Sequence, residues 1–295
     1  MKNIVFKKML LITIMGTGLI LGGILSGLSM GCGSEGVGED SPVVIQQLAT
    51  GNSFTCVLLS DQTVKCWGYN AYGQLGNGTH ASLSAPTTAI SGLTGVTSIV
   101  SGSSHVCALL SDGTVKCWGS NNSGELGDGT NVDKNSPTMI ASLTGVTSIV
   151  SGASHVCALL SDQTVKCWGY NYSGELGDGT TTDKNVPTLV SGLSGVTSIV
   201  AGDYHTCAIL SGGTVKCWGY NTYGQLGDGT TTDVHVPPSS SISGLSGVTS
   251  LAAGSSHTCA LLSDQTVKCW GWAGLGELGR GDDFFIETPG NVLGL

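Results

Sequence analysis

The chain has 295 residues, of which 47 are glycine and only 11% are charged. Collagen needs a three-residue glycine period, which is missing here, and the low charge argues against a charged disordered chain. The formal net charge is −9 at pH 7, and no basic tail or stripe is present, so nucleic acid is not expected as a partner. Many short strands joined by glycine-rich turns fit this composition better.

The first segment of the chain has a basic start, followed by an apolar run that ends at Gly31 and Cys32. This order is typical of an export signal. A small residue before a cysteine resembles a bacterial lipoprotein signal, which implies that residues 1–31 are removed and that Cys32 carries the lipid. Ser29 stands where that family usually has leucine, and the run of about 22 apolar residues is long enough to span a bilayer. An uncleaved anchor and an ordinary cleaved signal are therefore the alternatives.

All three alternatives export the remainder of the chain. The acidic, glycine-rich residues 32–42 predict a flexible tether, and the repeats occupy residues 43–295. Without residues 1–31 the chain keeps 8 basic and 20 acidic residues, a formal charge of −12. The expected location is the periplasm or the cell exterior, with the protein held at the membrane by lipid on Cys32.

Ten of the eleven cysteines occur in five pairs, and these pairs recur every 50 to 52 residues. A fixed period of this size is typical of a repeat architecture. In the second repeat, residues 95–102, 105–110 and 114–119 are rich in β-branched and apolar residues and predict three strands, and residues 137–142 could supply a fourth. Four strands per repeat is the content of one propeller blade. The expected fold is all-β, a propeller of about five four-stranded blades.

The repeat also carries a family resemblance. The segments "HVCALLSDGTVKCWG" (105–119) and "WGSNNSGELGDGT" (118–130) resemble the repeat of the regulator of chromosome condensation family, and the resemblance extends over residues 43–295. It implies a β-propeller with one blade per repeat and a structural role for the histidine before the first cysteine. The best-known members have seven blades, whereas this chain has five repeats.

The two ends of the repeat region suggest how the ring closes. The "SGL" segments at 91–93, 191–193 and 243–245 are each followed by a strand like "GVTSIV", but the last "GL", in "NVLGL" (291–295), is not. Residues 43–51, "VVIQQLATG", align with that strand. We therefore expect the N-terminal strand to complete the last blade and to leave no edge strand exposed.

The ten-residue cysteine spacing predicts a disulfide in every blade. With Gly113 in the left-handed conformation of a three-residue hairpin loop, Cys107 faces Cys117 at a non-hydrogen-bonded position, where Cα atoms approach to about 4.5 Å. Export supplies the oxidising compartment that disulfides need. The expected pairs are Cys56–Cys66, Cys107–Cys117, Cys157–Cys167, Cys207–Cys217 and Cys259–Cys269.

Zinc binding and free thiols are the alternatives for these cysteines. His105 lies two residues before Cys107, so both side chains and Cys117 could converge as zinc ligands. Phe54 replaces the histidine in the first repeat although both cysteines remain, which favours disulfides. No metal and no cofactor is therefore expected.

The segment after each Trp-Gly pair varies between repeats and carries most of the aromatic side chains. If the blades align, these side chains cluster near one rim, where tyrosine and tryptophan are typical of binding hot spots. Packing against the next blade is the alternative interpretation. The candidates are Tyr69, Tyr72, Tyr170, Tyr172, Tyr220, Tyr223 and Trp272.

Catalysis is not expected. Glu125, Glu175 and Glu277 share one repeat position with Gln74 and Gln225, and a catalytic acid would seldom alternate with glutamine around a ring. Phosphate-binding and dinucleotide-binding motifs are also missing. The function expected is a non-enzymatic, exported, membrane-tethered scaffold that binds a protein or a glycan. The alternatives are a secreted enzyme inhibitor similar to propellers that inhibit β-lactamases, and the guanine-nucleotide exchange that the family resemblance implies.

Overall fold

The computed structural model describes residues 42–86, 88–281 and 284–295. The predicted signal at 1–31, the lipid attachment site Cys32 and all but the last residue of the predicted tether lie outside them. Every regular element in the described part is a β-strand, as the sequence predicts. No helix of the described residues is long and apolar enough to cross a membrane.

Five antiparallel sheets follow one another along the chain, one from each repeat. The first contains β1 (Ile45–Thr50), β2 (Phe54–Leu59) and β3 (Val64–Gly68). The second contains β4 (Val96–Ser101), β5 (His105–Leu110), β6 (Val115–Gly119) and β7 (Lys134–Met139). The third contains β8 (Val146–Ser151), β9 (His155–Leu160), β10 (Val165–Gly169) and β11 (Lys184–Leu189). The fourth contains β12 (Val196–Ala201), β13 (His205–Leu210) and β14 (Thr214–Gly219). The fifth contains β15 (Val248–Ala253), β16 (His257–Leu262), β17 (Val267–Trp272) and β18 (Phe285–Asn291).

The first strand of every sheet faces a common central channel. Leu48, Val100, Val150, Val200 and Ala252, one from each sheet, line this channel. Most of the apolar core lies between neighbouring sheets, since four of the five buried clusters of the described residues combine residues from two consecutive repeats. This arrangement of consecutive sheets around an axis is that of a β-propeller.

The N-terminal strand does not lie where the sequence placed it. β1 pairs with β2 in the first sheet, with Leu48 opposite Val57 and Ala49 opposite Cys56. The last sheet already has its fourth strand, β18, which pairs with β17. The predicted role of residues 43–51 in completing the last blade is therefore wrong. Pairing with the strand that follows directly in sequence closes a much shorter loop and so costs less chain entropy than pairing across the whole domain.

The fourth strand is complete in three of the five sheets. In the second sheet it covers Lys134–Met139, earlier than the predicted 137–142, while the first and fourth sheets have only a bridge at this place, Gly68 to Leu83 and Gly219 to Val234. The number of residues explains this difference. We count from the first residue of the strand or bridge to the buried residue that follows it (Ile90, Ile140, Val190 or Ile242). This distance is six positions in the second and third repeats, seven in the first and eight in the fourth. The extra residues interrupt the ladder.

Candidate binding rim

The hairpin that carries the cysteines has the predicted register. Cys107 faces Cys117 and Leu109 faces Val115, and Gly113 has a φ of 76°. Each of the five cysteine pairs forms a disulfide with its Cα atoms 4.1 Å apart. These crosslinks join the second and third strands of every sheet.

The histidines beside the cysteines contact the next sheet. The Nε2 atom of His105 lies 3.0 Å from Ser151 Oγ, and those of His155 and His205 lie 3.0 and 2.9 Å from the hydroxyls of Thr206 and Thr258. Burial lowers the pKa of His105 and His205 to about 4 and that of His155 to about 3. Neutral rings that bond to hydroxyls have a structural role. Among the described residues, no group of three or more His, Cys, Asp and Glu side chains is placed to hold a metal ion.

The tryptophans of repeats two to five pack between blades. Each is fully buried, and its indole N–H donates to a backbone carbonyl of the preceding repeat at 2.8 to 3.0 Å. These contacts set the spacing of neighbouring sheets and therefore the position of the loops at the rim. The donor–acceptor pairs are Trp118 with Gln74, Trp168 with Glu125, Trp218 with Glu175, and Trp270 with Gln225.

A buried asparagine shapes the loop that follows each Trp-Gly pair in repeats one to four. In the third repeat, Asn171 Oδ1 accepts from the Leu176 N–H at 3.0 Å, and its Nδ2 donates to the carbonyls of Thr180 and Thr182, both at 3.1 Å. The Asn171 N–H in turn donates to Asp183 Oδ1 at 2.8 Å. The fifth repeat has Ala273 at this place and lacks these side-chain contacts.

The glutamate or glutamine that lies four residues after this asparagine closes the same loop. Glu175 Oε2 accepts from the Ser173 N–H at 2.9 Å, and Gln225 Oε1 accepts from the Tyr223 N–H at 3.0 Å. Glutamate and glutamine therefore alternate because only the accepting oxygen is needed. Burial raises the pKa of Glu175 to about 7.

The loops of repeats three to five bring their aromatic side chains together in one row. Tyr170, Tyr204, Tyr220, Tyr223 and Trp272 contact one another in that order, edge to face, with ring centroids 6.1, 6.4, 6.1 and 4.9 Å apart. We call these five residues the aromatic row. Edge-to-face pairs of this kind are favourable beyond the area they bury, so the row is a formed surface.

Tyr204 belongs to this row although the sequence analysis did not select it. It lies in the turn before β13 rather than in the loop after Trp-Gly. A signal for it is present in the sequence, because the other four repeats have serine at this place: Ser53, Ser104, Ser154 and Ser256.

The remaining candidates divide into two groups. Tyr69 and Tyr72 contact each other in the loop after β3, with their ring centroids 6.2 Å apart, but they are not part of the row. Ser120 stands in the second repeat where the third and fourth have tyrosine, so the aromatic surface is interrupted there. Tyr172 is 75% exposed and lies beside the row.

A cavity of about 360 Å³ opens beside the aromatic row. Four of its lining residues, Tyr170, Tyr204, Tyr220 and Tyr223, belong to the row. Glu175 also lines it and is fully buried. We call this cavity the tyrosine pocket; its remaining lining residues are Tyr172, Ser173 and Ser256.

The family model of the RCC1-like domain matches residues 45–295, and the chain belongs to this family. The resemblance to the regulator of chromosome condensation family is thereby confirmed. Among solved structures, yeast RCC1 (Prp20) bound to Kap60 is similar with a TM-score of 0.74 and 22% identity, over 83% of this chain and 60% of that chain. Human WBSCR16 is similar with a TM-score of 0.73 and 25% identity, over 85% of this chain and 67% of that one.

Curated relatives match only one part of the repeat region. The E3 ubiquitin-protein ligase HERC2 of Homo sapiens is 35% identical over 88 residues, which are 29% of this chain and 2% of the relative. The probable E3 ubiquitin-protein ligase HERC4 of Homo sapiens is 32% identical over 101 residues, 34% of this chain and 10% of the relative. The chain thus spans a small fraction of these relatives.

Proposed function

We propose that this member of the RCC1-like domain family is a non-enzymatic, exported and membrane-tethered scaffold that binds a protein partner through the aromatic row. The single observation that supports binding is the row itself. Five aromatic side chains from three consecutive repeats meet at one rim, and two of them, Tyr204 and Trp272, are at least one-third exposed. Exposed tyrosine and tryptophan on a rigid scaffold are typical of protein-binding hot spots.

The comparison structures agree with a protein partner. Yeast Prp20 was solved bound to Kap60, and a second structure of Prp20p from Saccharomyces cerevisiae was described with its binding to Gsp1p and histones. A protein that has this fold is therefore known to bind other proteins. The acidic charge of the repeats in this chain favours partners other than nucleic acid.

Export and tethering rest on the N-terminal sequence. A basic start, an apolar run and Gly31-Cys32 form the signal, and the paired cysteines of the repeats suit an oxidising compartment. Lipid on Cys32 would hold the propeller at the membrane surface.

Site-specific photocrosslinking in the producing cells tests the binding surface. A photoreactive phenylalanine analogue replaces Tyr172, which is 75% exposed beside the row, and in a control chain it replaces Leu189, which is 52% exposed on the outer strand of the same sheet. We expect a discrete adduct from position 172 and none from position 189. Binding of the identified protein to purified chain should then weaken at least tenfold in the Tyr220→Ala variant. Equal crosslinking at both positions, or no adduct at 172, would contradict the proposal.

A further inference from the structure

We propose that the tyrosine pocket binds the positively charged side chain of a lysine or arginine from the protein partner. This inference rests on the proposed function and specifies the chemistry that the rim recognises. It combines three observations: a buried carboxylate with a free acceptor atom, the sign of the charge around it, and the aromatic walls.

The carboxylate of Glu175 has one oxygen without a partner. Its Oε2 accepts from the Ser173 N–H at 2.9 Å, but its Oε1 is buried and has no hydrogen-bond partner among the described residues. Leaving a buried acceptor unpaired is costly, and more so for a charged group. A ligand that brings an N–H donor into the pocket would remove this cost.

The charge near this oxygen is negative. Burial raises the pKa of Glu175, and the carboxylates of Asp233 and Asp183 raise it further by repulsion. None of the residues that line the pocket is a lysine or an arginine. A cation would favour the ionised carboxylate, whereas an anion would be repelled and a neutral sugar would gain little from this charge.

The walls of the pocket suit the rest of a basic side chain. Tyr170, Tyr204 and Tyr220 stand edge to face in sequence, so their ring faces point in different directions. A cation close to a tyrosine ring face is attracted by the ring quadrupole, most strongly where water is excluded. The aliphatic part of lysine or arginine would lie against the apolar ring surface.

Glu125, the residue of the second repeat that matches Glu175, allows ligand binding by Glu175 to be distinguished from a structural role in its loop. Glu125 Oε2 accepts from the Ser123 N–H at 2.9 Å, and burial raises the pKa of Glu125 to about 7, as for Glu175. Its loop has Ser120 where the third repeat has Tyr170, so it has no tyrosine pocket. Glu125→Gln therefore reproduces the change in the loop without touching the proposed site.

The test is a titration of the full-length oxidised chain with short peptides at pH 8. Binding is monitored by NMR of ¹³C-labelled tyrosine rings. The probes are Ac-Gly-Ser-Lys-Ser-Gly-amide and Ac-Gly-Ser-Arg-Ser-Gly-amide. The comparison peptide carries Nε-acetyl-lysine, which keeps the length but removes the charge. We expect the lysine or arginine peptide to bind at least tenfold more tightly than the acetyl-lysine peptide. Glu175→Gln should reduce this ratio to about one, Glu125→Gln should leave it unchanged, and Tyr204→Leu should weaken binding of the charged peptides.

Three results would overturn the inference. The first two are equal binding of the charged and acetylated peptides, and an equal effect of the two glutamine variants. The third uses chitobiose, a neutral sugar, as a probe: it would be a shift of the same tyrosine resonances by chitobiose but not by the charged peptides. An adduct at position 172 in cells together with any of these results would leave the proposed function standing while the cation pocket fails. Loss of the adduct would count against the proposed function itself.

Discussion

The indole Nε1 of Trp218 donates to the backbone carbonyl of Glu175 at 2.9 Å, across the boundary between the third and fourth sheets. The same carbonyl accepts from the Thr206 hydroxyl at 3.0 Å. Glu175, which lines the tyrosine pocket, is thus held by two donors of the next blade. The pocket and the junction between the sheets are built from the same loop.

Replacement of Trp218 should therefore be far more damaging than replacement of the rim tryptophan. Trp218 is fully buried, and Trp218→Ala should lower the free energy of unfolding by about 3 to 5 kcal/mol through the cavity and the lost contacts. Trp272 is 36% exposed and contacts Tyr223 at the rim, and Trp272→Ala should cost only about 1 to 2 kcal/mol. Urea unfolding followed by circular dichroism measures both. A large loss in the Trp272 variant would assign that ring to packing rather than binding.

The buried histidines predict a loss of stability in acid. Burial and the neighbouring rings of His205 and His105 lower the pKa of His155 to about 3, from an ordinary 6.5. The unfolded chain then binds more protons below pH 6.5, so this contribution to stability is complete above that pH and is lost progressively as the pH falls toward 3. Glu125 and Glu175 act in the opposite sense, because their raised pKa of about 7 makes the folded chain the stronger proton binder between about pH 4.5 and 7.

A difference between variants isolates the histidine effect. His155→Phe copies the first repeat, which has Phe54 at this place. Between pH 7 and pH 4 the wild type should lose about 2 to 3 kcal/mol more than this variant, measured by urea unfolding at a series of pH values. His80→Ala, at an exposed position, is the control and should run parallel to the wild type. Parallel curves for His155→Phe would mean that the pKa of the ring is the same in the folded and the unfolded chain.

The sequence predicted the parts of the fold that depend on local spacing. The ten-residue separation of Cys107 and Cys117 determines the hairpin register, because any other loop length would separate the two sulfurs. The repeat period likewise predicted the number of sheets. A period does not say where a blade begins, however, and for this reason β1 was assigned to the wrong sheet.

The candidate site could be predicted only in part from the sequence. The loop after Trp-Gly supplied Tyr170, Tyr220, Tyr223 and Trp272, but Tyr204 reaches the same row from a different turn. Contacts between neighbouring repeats depend on how the sheets pack, which a repeat alignment does not contain. The unpaired oxygen of Glu175 could not be predicted for the same reason.

The buried asparagine of the rim loop should be essential for stability. Asn171→Ala leaves the Leu176 N–H and the carbonyls of Thr180 and Thr182 without the partner they have now. Leu176 is fully buried, and an unpaired buried N–H costs about 1 to 3 kcal/mol. Thr180 and Thr182 are exposed, so water can replace the contact to their carbonyls. A loss of about 1 to 3 kcal/mol is therefore expected in urea unfolding. Asn122→Ala, at an exposed position of the preceding repeat, should change stability by less than about 0.5 kcal/mol. Equal effects of the two variants would refute this role.

Lipid attachment is predicted at Cys32. Metabolic labelling with a tagged fatty acid should mark the wild-type chain, and Cys32→Ser should abolish the label and release the protein from the membrane fraction. The double variant Cys56→Ser/Cys66→Ser removes one disulfide pair and should keep the label. A Cys32→Ser protein that stays in the membrane fraction would instead support an uncleaved anchor.

Each disulfide joins two cysteines that trypsin separates, because a lysine stands directly before the second cysteine of every pair. Non-reducing digestion should therefore yield three linked species. One joins the peptides around Cys56–Cys66 and Cys107–Cys117, the second contains only Cys157–Cys167, and the third joins Cys207–Cys217 with Cys259–Cys269. Reduction should resolve all three into single peptides.

Loss of one of these disulfides should raise the conformational entropy of the unfolded chain. A disulfide across a ten-residue separation removes loop entropy worth about 3 kcal/mol from the unfolded state, so Cys157→Ala/Cys167→Ala should lower the free energy of unfolding by roughly that amount. The two strands that this disulfide joins keep their hydrogen bonds, so the variant should still fold. The sheets that do not contain this disulfide, such as the second and the fifth, should be retained. Free thiols in the exported wild type, peptides linked between the three groups, or stoichiometric zinc in the purified chain would show that the cysteines serve another purpose.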